Sequence, residues 1–122
     1  MAAHLHSRDR VLDHITNQIE RYMNLLSARE KLVASNIANV DTPGYKTKDI
    51  DFQFEFMTQM ENQAPDAVEA QGLTTKNDGN NVSLDREARL LAETALRFNL
   101  ASSLMKSQLR LISSAIQEGK SS

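Results

Sequence analysis

The sequence contains no cysteine and no tryptophan. Without Cys there is no disulfide scaffold, zinc-thiolate centre or thiol nucleophile, and that absence suits a reducing and an oxidising compartment equally. Aromatic residues make up 5% of the 122 positions, so Leu, Ile, Val, Met and Ala must do the packing. The opening stretch MAAHLHSRDR lacks the apolar central region of a secretory signal peptide. Nowhere does the chain approach the roughly 18 apolar residues of a membrane span. The expectation is a soluble protein with no direct membrane span, which leaves the cytoplasm, if it does, by a route other than the general signal-peptide pathway. An excess of either charge is missing too. With 14 Lys+Arg against 16 Asp+Glu the formal charge is −2, which argues against a nucleic-acid binder.

Helix breakers are scarce and confined. Both prolines, Pro43 and Pro65, and three of the four glycines, Gly44, Gly72 and Gly79, fall in the middle, with Gly119 near the end. Gly and Pro cost about 1 and 3 kcal/mol in a helix interior, so long helices are permitted over 1–42 and 80–118 and not between them. The pattern predicts an all-α fold of three stretches. These are an N-terminal helix within 1–40, a turn motif and irregular middle over 41–82 with a short helix, and a C-terminal helix within 83–122. The two long helices pair like a coiled coil.

The C-terminal helix has the clearer period. Leu84, Ala88, Leu91, Ala95, Phe98, Ser102, Met105, Leu109, Ile112 and Ile116 recur at steps of four and three, the seam by which one helix lies along another. Ser83 is its expected N-cap, Asp85 and Glu87 suit the positive end of the helix dipole, and Gly119 is the expected stop. The N-terminal helix, expected from about Asp9 to Val40, carries Leu12, Ile15, Ile19, Tyr22 or Met23, Leu26, Val33, Ile37 and Val40 on one face. Arg29 and Glu30 interrupt it.

A second stripe does not fit a solitary hairpin. Leu96, Leu100, Leu104, Leu111 and Ala115 are displaced from the C-terminal seam, and Val11, Leu25 and Leu32 from the N-terminal one. A two-helix hairpin buries one stripe per helix, so these residues are expected to face water in a monomer and to be covered by other subunits. Such a pair is marginal alone and should gain helix on assembly.

In the middle, Thr42-Pro43-Gly44-Tyr45 has Pro and Gly at the central positions of a type II turn. Asp49 through Phe56 alternates like a strand, yet Phe52, Phe56 and Met60 also fit a helix capped by Asp51. A helix over about 52–62 is favoured, because one strand alone has nothing to pair with. Residues 61–81 read as a flexible polar loop.

Chemistry is sparse. His4 and His6 on an N-terminal stretch lack further metal ligands, and His14 reads as a surface or seam residue. Asp49, Asp51 and Glu55 alternate with Phe and read as a solvated face rather than as an acid–base pair. Asp78-Gly79-Asn80 lacks the remaining oxygens of a calcium loop. There is no phosphate-binding loop, dinucleotide fingerprint or nucleophile elbow. The expectation is no enzyme, no cofactor and no metal. Asn36 and Asn39 admit two compatible readings, helix termination and fixing the register against a second helix.

The run Ala34-Ser35-Asn36-Ile37-Ala38-Asn39-Val40-Asp41-Thr42-Pro43-Gly44-Tyr45-Lys46 closely resembles the signature that ends the N-terminal helix of bacterial flagellar rod and hook axial proteins. Lys48-Asp49-Ile50-Asp51-Phe52 looks most like the proximal-rod branch of that family. Asp78-Gly79-Asn80-Asn81-Val82-Ser83-Leu84-Asp85 and Ala92-Glu93-Thr94-Ala95-Leu96-Arg97-Phe98 resemble the start of its C-terminal helix. The resemblance covers about two-thirds of the chain and departs over 57–77. It implies a structural subunit of the flagellar basal body, exported without a cleaved signal peptide and assembled in the periplasm into a rod that transmits torque. It also implies self-association and contacts with other rod proteins, the adaptor FliE, the membrane ring and the export gate. The rival reading is a helical-hairpin export chaperone or adaptor that does not polymerise.

Overall fold

A computed structural model describes residues 2–58 and 63–121, with side chains from Arg10 onward and as far as Lys120. The element order is α1 (Ala2–Ala38), β1 (Lys48–Ile50), α2 (Phe52–Thr58), β2 (Ala67–Glu69) and α3 (Leu84–Ser121). With 37 and 38 residues, the terminal helices are each about 55 Å long. They run antiparallel. Asn36 meets Glu87 at the closed end, Tyr22 meets Arg97 in the middle, and Ile15 and Leu104 line one groove towards the open end. No helix among the described residues is long and apolar enough to cross a membrane.

The expected boundaries moved slightly. Helix α1 begins at Ala2 rather than near Asp9, since nothing before Asp9 breaks a helix. Gly119 lies inside α3, because a glycine in the last turn costs little and ends a helix only when its backbone turns left-handed. At the other end Ser83 caps α3 as its sequence position suggests, its Oγ accepting from the Arg86 N–H at 3.2 Å.

The middle is more ordered than a polar loop. Strand β1 pairs antiparallel with β2, Asp49 opposite Val68, so the partner strand came from a segment with little sequence signal. Asp51 caps α2, its Oδ1 accepting from the Phe54 N–H at 3.1 Å. The alternation at 49–56 is thus a strand ending where a short helix begins. The rest of the expected helix, 59–62, lies outside the described residues, as do the side chains of His4 and His6.

The buried apolar residues are Ile19, Leu25, Leu26 and Val33 of α1, Ala101 of α3, and Ile50 and Val82 beside the closed end. Leu25 therefore corrects its assignment to a displaced, outward stripe. It shares a helix face with Tyr22 and Arg29, and that face is covered by the middle segment. Tyr22 stacks edge-on against Phe52 and Phe56 with ring centroids 5.4 and 6.3 Å apart, and the Arg29 guanidinium lies 5.7 Å from the Phe52 centroid. Leu32 is half-buried. Val11, about three turns before Tyr22, stays exposed.

Helix α3 also turns a different face to α1 than its apolar period indicated. Glu87, Thr94 and Ala101 are buried, with Leu90, Gln108 and two residues of the expected seam, Met105 and Ile112, half-buried along the same line. Leu84, Leu91, Phe98, Leu109 and Ile116, expected in the seam, are 37–53% exposed. The reason is steric and polar. The closed end is held through Glu87, and the small Thr94 and Ala101 let α1's Leu and Ile side chains approach closely. The bulkier residues of α3 are left straddling the contact. Towards the open end Thr16 Oγ1 and Gln108 Oε1 are buried with no hydrogen-bond partner among the described residues.

This assignment of faces is testable by denaturation of the free chain. Leu26→Ala, which removes a side chain 1% exposed, is expected to cost about 2–4 kcal/mol. Leu91→Ala is expected to change stability by less than about 1 kcal/mol. A Leu91 effect as large as that of Leu26 would restore the original seam.

Candidate functional site

The family-like run at the end of α1 folds into a polar lock. Asn39 ends the helix: its backbone N–H reaches Ser35 and Asn36 carbonyls, and its side-chain amide donates to the Ser35 carbonyl at 2.8 Å. Thr42 Oγ1 then donates to Asn39 Oδ1 at 3.0 Å. The Tyr45 N–H closes the turn onto the Thr42 carbonyl, with Gly44 at φ 76°, the left-handed third position of a type II turn. Asp41 and Pro43 are exposed on it.

The lead-in to α3 clasps this turn. The Asn80 side-chain amide donates to the Asn39 and Thr42 carbonyls, both at 2.9 Å, and its carbonyl oxygen accepts from the Val82 N–H at 2.8 Å. The Gly44 N–H donates to the Asp78 carbonyl at 2.9 Å. Gly79 sits at φ 87°, and a Cβ there would stand 3.2 Å from the Gly44 Cα. Asn81 accepts from the Thr47 N–H at 2.7 Å through Oδ1. Two chain segments some 35 residues apart are thus joined backbone to backbone and amide to backbone.

Asn36 is fully buried and ties this lock to both helices. Its Nδ2 donates to the Lys48 carbonyl at 2.8 Å and to Glu87 Oε2 at 3.2 Å. Its Oδ1 accepts from the Tyr45 hydroxyl and the Lys48 N–H, both at 3.0 Å. Both donor hydrogens and both lone pairs are used. Glu87, itself wholly buried, is neutralised by Arg86 Nη1 at 2.7 Å.

Asp49 extends the network and corrects its reading as part of a solvated face. Arg29 bonds it bidentately at 2.9 and 3.0 Å, Arg86 at 2.6 Å, and the Ile50 N–H at 2.8 Å. Burial pushes its carboxyl up, but the Arg29 bonds, the Ile50 N–H, the Arg29 charge and Arg86 together hold it below the ordinary 3.8. Sequence reasoning passed over Thr47, read Asn80 and Asn81 only as part of a turn and a family-like run, and read Glu87 only as a charge suited to the start of α3, placing none of them in this network. The adjacent amides after Asp78-Gly79 were the available signal, since Asn in a turn bonds nearby backbone. Among the described residues no group of three or more His, Asp or Glu side chains is placed to hold a metal, and His14 is exposed.

The second feature is apolar. A groove of about 810 Å³ runs between α1 and α3, its α3 wall formed by Leu96, Leu100 and Leu104 and its α1 wall by Ile15, Ile19 and Tyr22, with Phe56 of α2 at one end. Leu96, Leu100, Leu104 and Leu111 are 50–63% exposed. Together the two features make a helical hairpin closed at one end by a polar lock, with apolar sides left open, the build of a structural subunit.

The comparisons with known proteins agree. Residues 23–46 match the family described as flagella basal body rod protein. The flagellar basal body rod protein FlgB of Escherichia coli K12 is 31% identical over 123 aligned positions, covering 80% of this chain and 88% of that protein. FlgB of Proteus mirabilis is 27% identical over 89% of this chain and its own full length, and FlgB of Borreliella burgdorferi 28% identical over 66% and 78%. The chain belongs to the FlgB family of flagellar basal body rod proteins, structural components of the rod and not enzymes.

Two outcomes test the lock. Asn36→Ala is expected to destabilise the free chain by about 2–3 kcal/mol, since it strands the buried Glu87 carboxylate and the part-buried Lys48 backbone and Tyr45 hydroxyl. Asp49's depressed value means its contribution is present above pH 3.8 and is lost as pH falls through the lower folded value. Asp49→Asn should therefore destabilise at neutral pH and flatten the acid limb of a stability–pH profile, and an unchanged acid limb would show that Asp49 carries none of it.

Proposed function

We propose that this chain is a proximal-rod subunit that polymerises through its terminal helices and transmits torque between the membrane ring and the distal rod and hook. The observation that carries the reading is the exposed leucine wall of α3, Leu96, Leu100, Leu104 and Leu111. Isolated, this surface stands in water; at about 25 cal/mol per Å², covering several such side chains contributes several kcal/mol per contact. Val11 and the half-buried Leu32 extend the surface on α1, while Leu25 belongs to the core. The Asn36–Tyr45 turn is on this reading a clamp that keeps each hairpin in register under load.

The same reading supplies partners and place. Other copies and other rod proteins cover the helices, the adaptor FliE and the export gate meet the growing base, and the subunit works in the periplasm after export without a cleaved signal. Leu100→Asp is expected to leave expression and export intact while abolishing incorporation into basal bodies and swarming. Normal motility in that strain would remove Leu100 from the interface.

A further inference from the structure

We propose that the two uncovered apolar surfaces of α3 are the two halves of one contact: the groove of one molecule is filled by the α3 ridge of a second copy of this chain. The inference rests on the rod reading above and gives it a geometry. Counting about 100° per residue from Ala101, which faces α1, the ridge of Leu84, Leu91, Phe98, Leu109 and Ile116 lies about 60–100° to one side. The groove wall of Leu96, Leu100 and Leu104 lies about 60–140° to the other, and the exposed Leu111 continues that flank beyond the groove. One helix therefore carries two different apolar flanks, separated by the face it spends on its own α1.

The groove specifies its occupant. It is a trough between two antiparallel helices, the shape that receives one further helix by ridge-into-groove packing. Its charged lining residues, Glu93 and Arg97, pair with each other at 2.8 Å, leaving no net charge to recruit an ionic partner. The entering surface must be helical, apolar and uncharged.

The ridge meets each demand. Leu84, Leu91 and Phe98, and again Leu109 and Ile116, recur at seven-residue steps, the spacing of a helix that lies along another. Ala88, Ala95 and Ser102 fill the positions between them, so the strip carries no charge from Leu84 to Met105. Helix α1 offers no equivalent, because its exposed positions include Asp13, Asn17, Glu20, Asn24, Glu30 and Lys31.

Ridge and groove are unlike surfaces, so the contact is heterologous. Every copy that seats its ridge in a neighbour still presents an empty groove, and growth continues as an open helical array instead of stopping at a dimer.

The chain has no cysteine, which makes the test direct. Single variants Leu91→Cys, Phe98→Cys and Leu109→Cys on the ridge, and Leu96→Cys, Leu100→Cys and Leu104→Cys on the groove wall, are tagged separately. They are co-expressed in flagellated cells and oxidised. All six sites are at the surface, so folding is retained. Disulfides are expected between ridge and groove variants and not within either set, and a chain carrying both cysteines should give a ladder of multimers. Ridge–ridge or groove–groove products, bonds only to other polypeptides, or no bond in any combination would each overturn the pairing. Immunoblots of isolated basal bodies keep the two readings apart. The chain present there without mixed disulfides removes the ridge-in-groove contact alone, and its absence removes the rod assignment beneath it.

Discussion

The structure depends on one amide. Asn36 spends both hydrogens and both lone pairs on a buried junction of α1, β1, the Tyr45 turn and α3. Each partner would cost on the order of 1–3 kcal/mol if buried unpaired, so the junction tolerates no other register. The rotation of α3 follows from it. Glu87 must face inward to meet Asn36, and a straight helix then has no freedom to choose which residues face α1 further along. Apolar residues placed for other purposes are accordingly left outside.

Around that amide the chain separates two kinds of cohesion. The closed end is polar and buried, with Asp49, Arg29, Arg86 and Glu87 sharing charge and Asn80 fastening the turn. Paired, buried charges of this sort specify geometry more than they add stability. The long shaft is the reverse, an apolar surface with little specification inside the single molecule. A rod built from such units obtains its precision from the folded end and its adhesion from the shaft.

Much of this was legible in the residues. The confinement of Gly and Pro to the middle gave two long helices, and Thr42-Pro43-Gly44-Tyr45 gave the turn. What failed was the choice of α3's inward face. Heptad spacing reports where greasy residues recur, but not which helix covers them. A face of Glu87, Thr94 and Ala101 looks unremarkable until Asn36 is seen opposite it. Strand β2 was missed because Ala67–Glu69 is wholly exposed and has no alternation to read. Leu25 was misplaced because α1 is covered on two sides, by α3 and by Phe52 and Phe56, where a hairpin alone covers one.

The hydrogen bonds and ion pairs gathered at the closed end, against the apolar contacts along the shaft, give the hairpin a mechanical asymmetry. It resembles a tuning fork, welded at the base, with tines that lean together through mostly apolar contact. Bending strain applied to such a piece concentrates in the prongs and spares the weld. A tube of these forks would flex by small shears between prongs while every base kept its shape, a compliant shaft made of stiff joints.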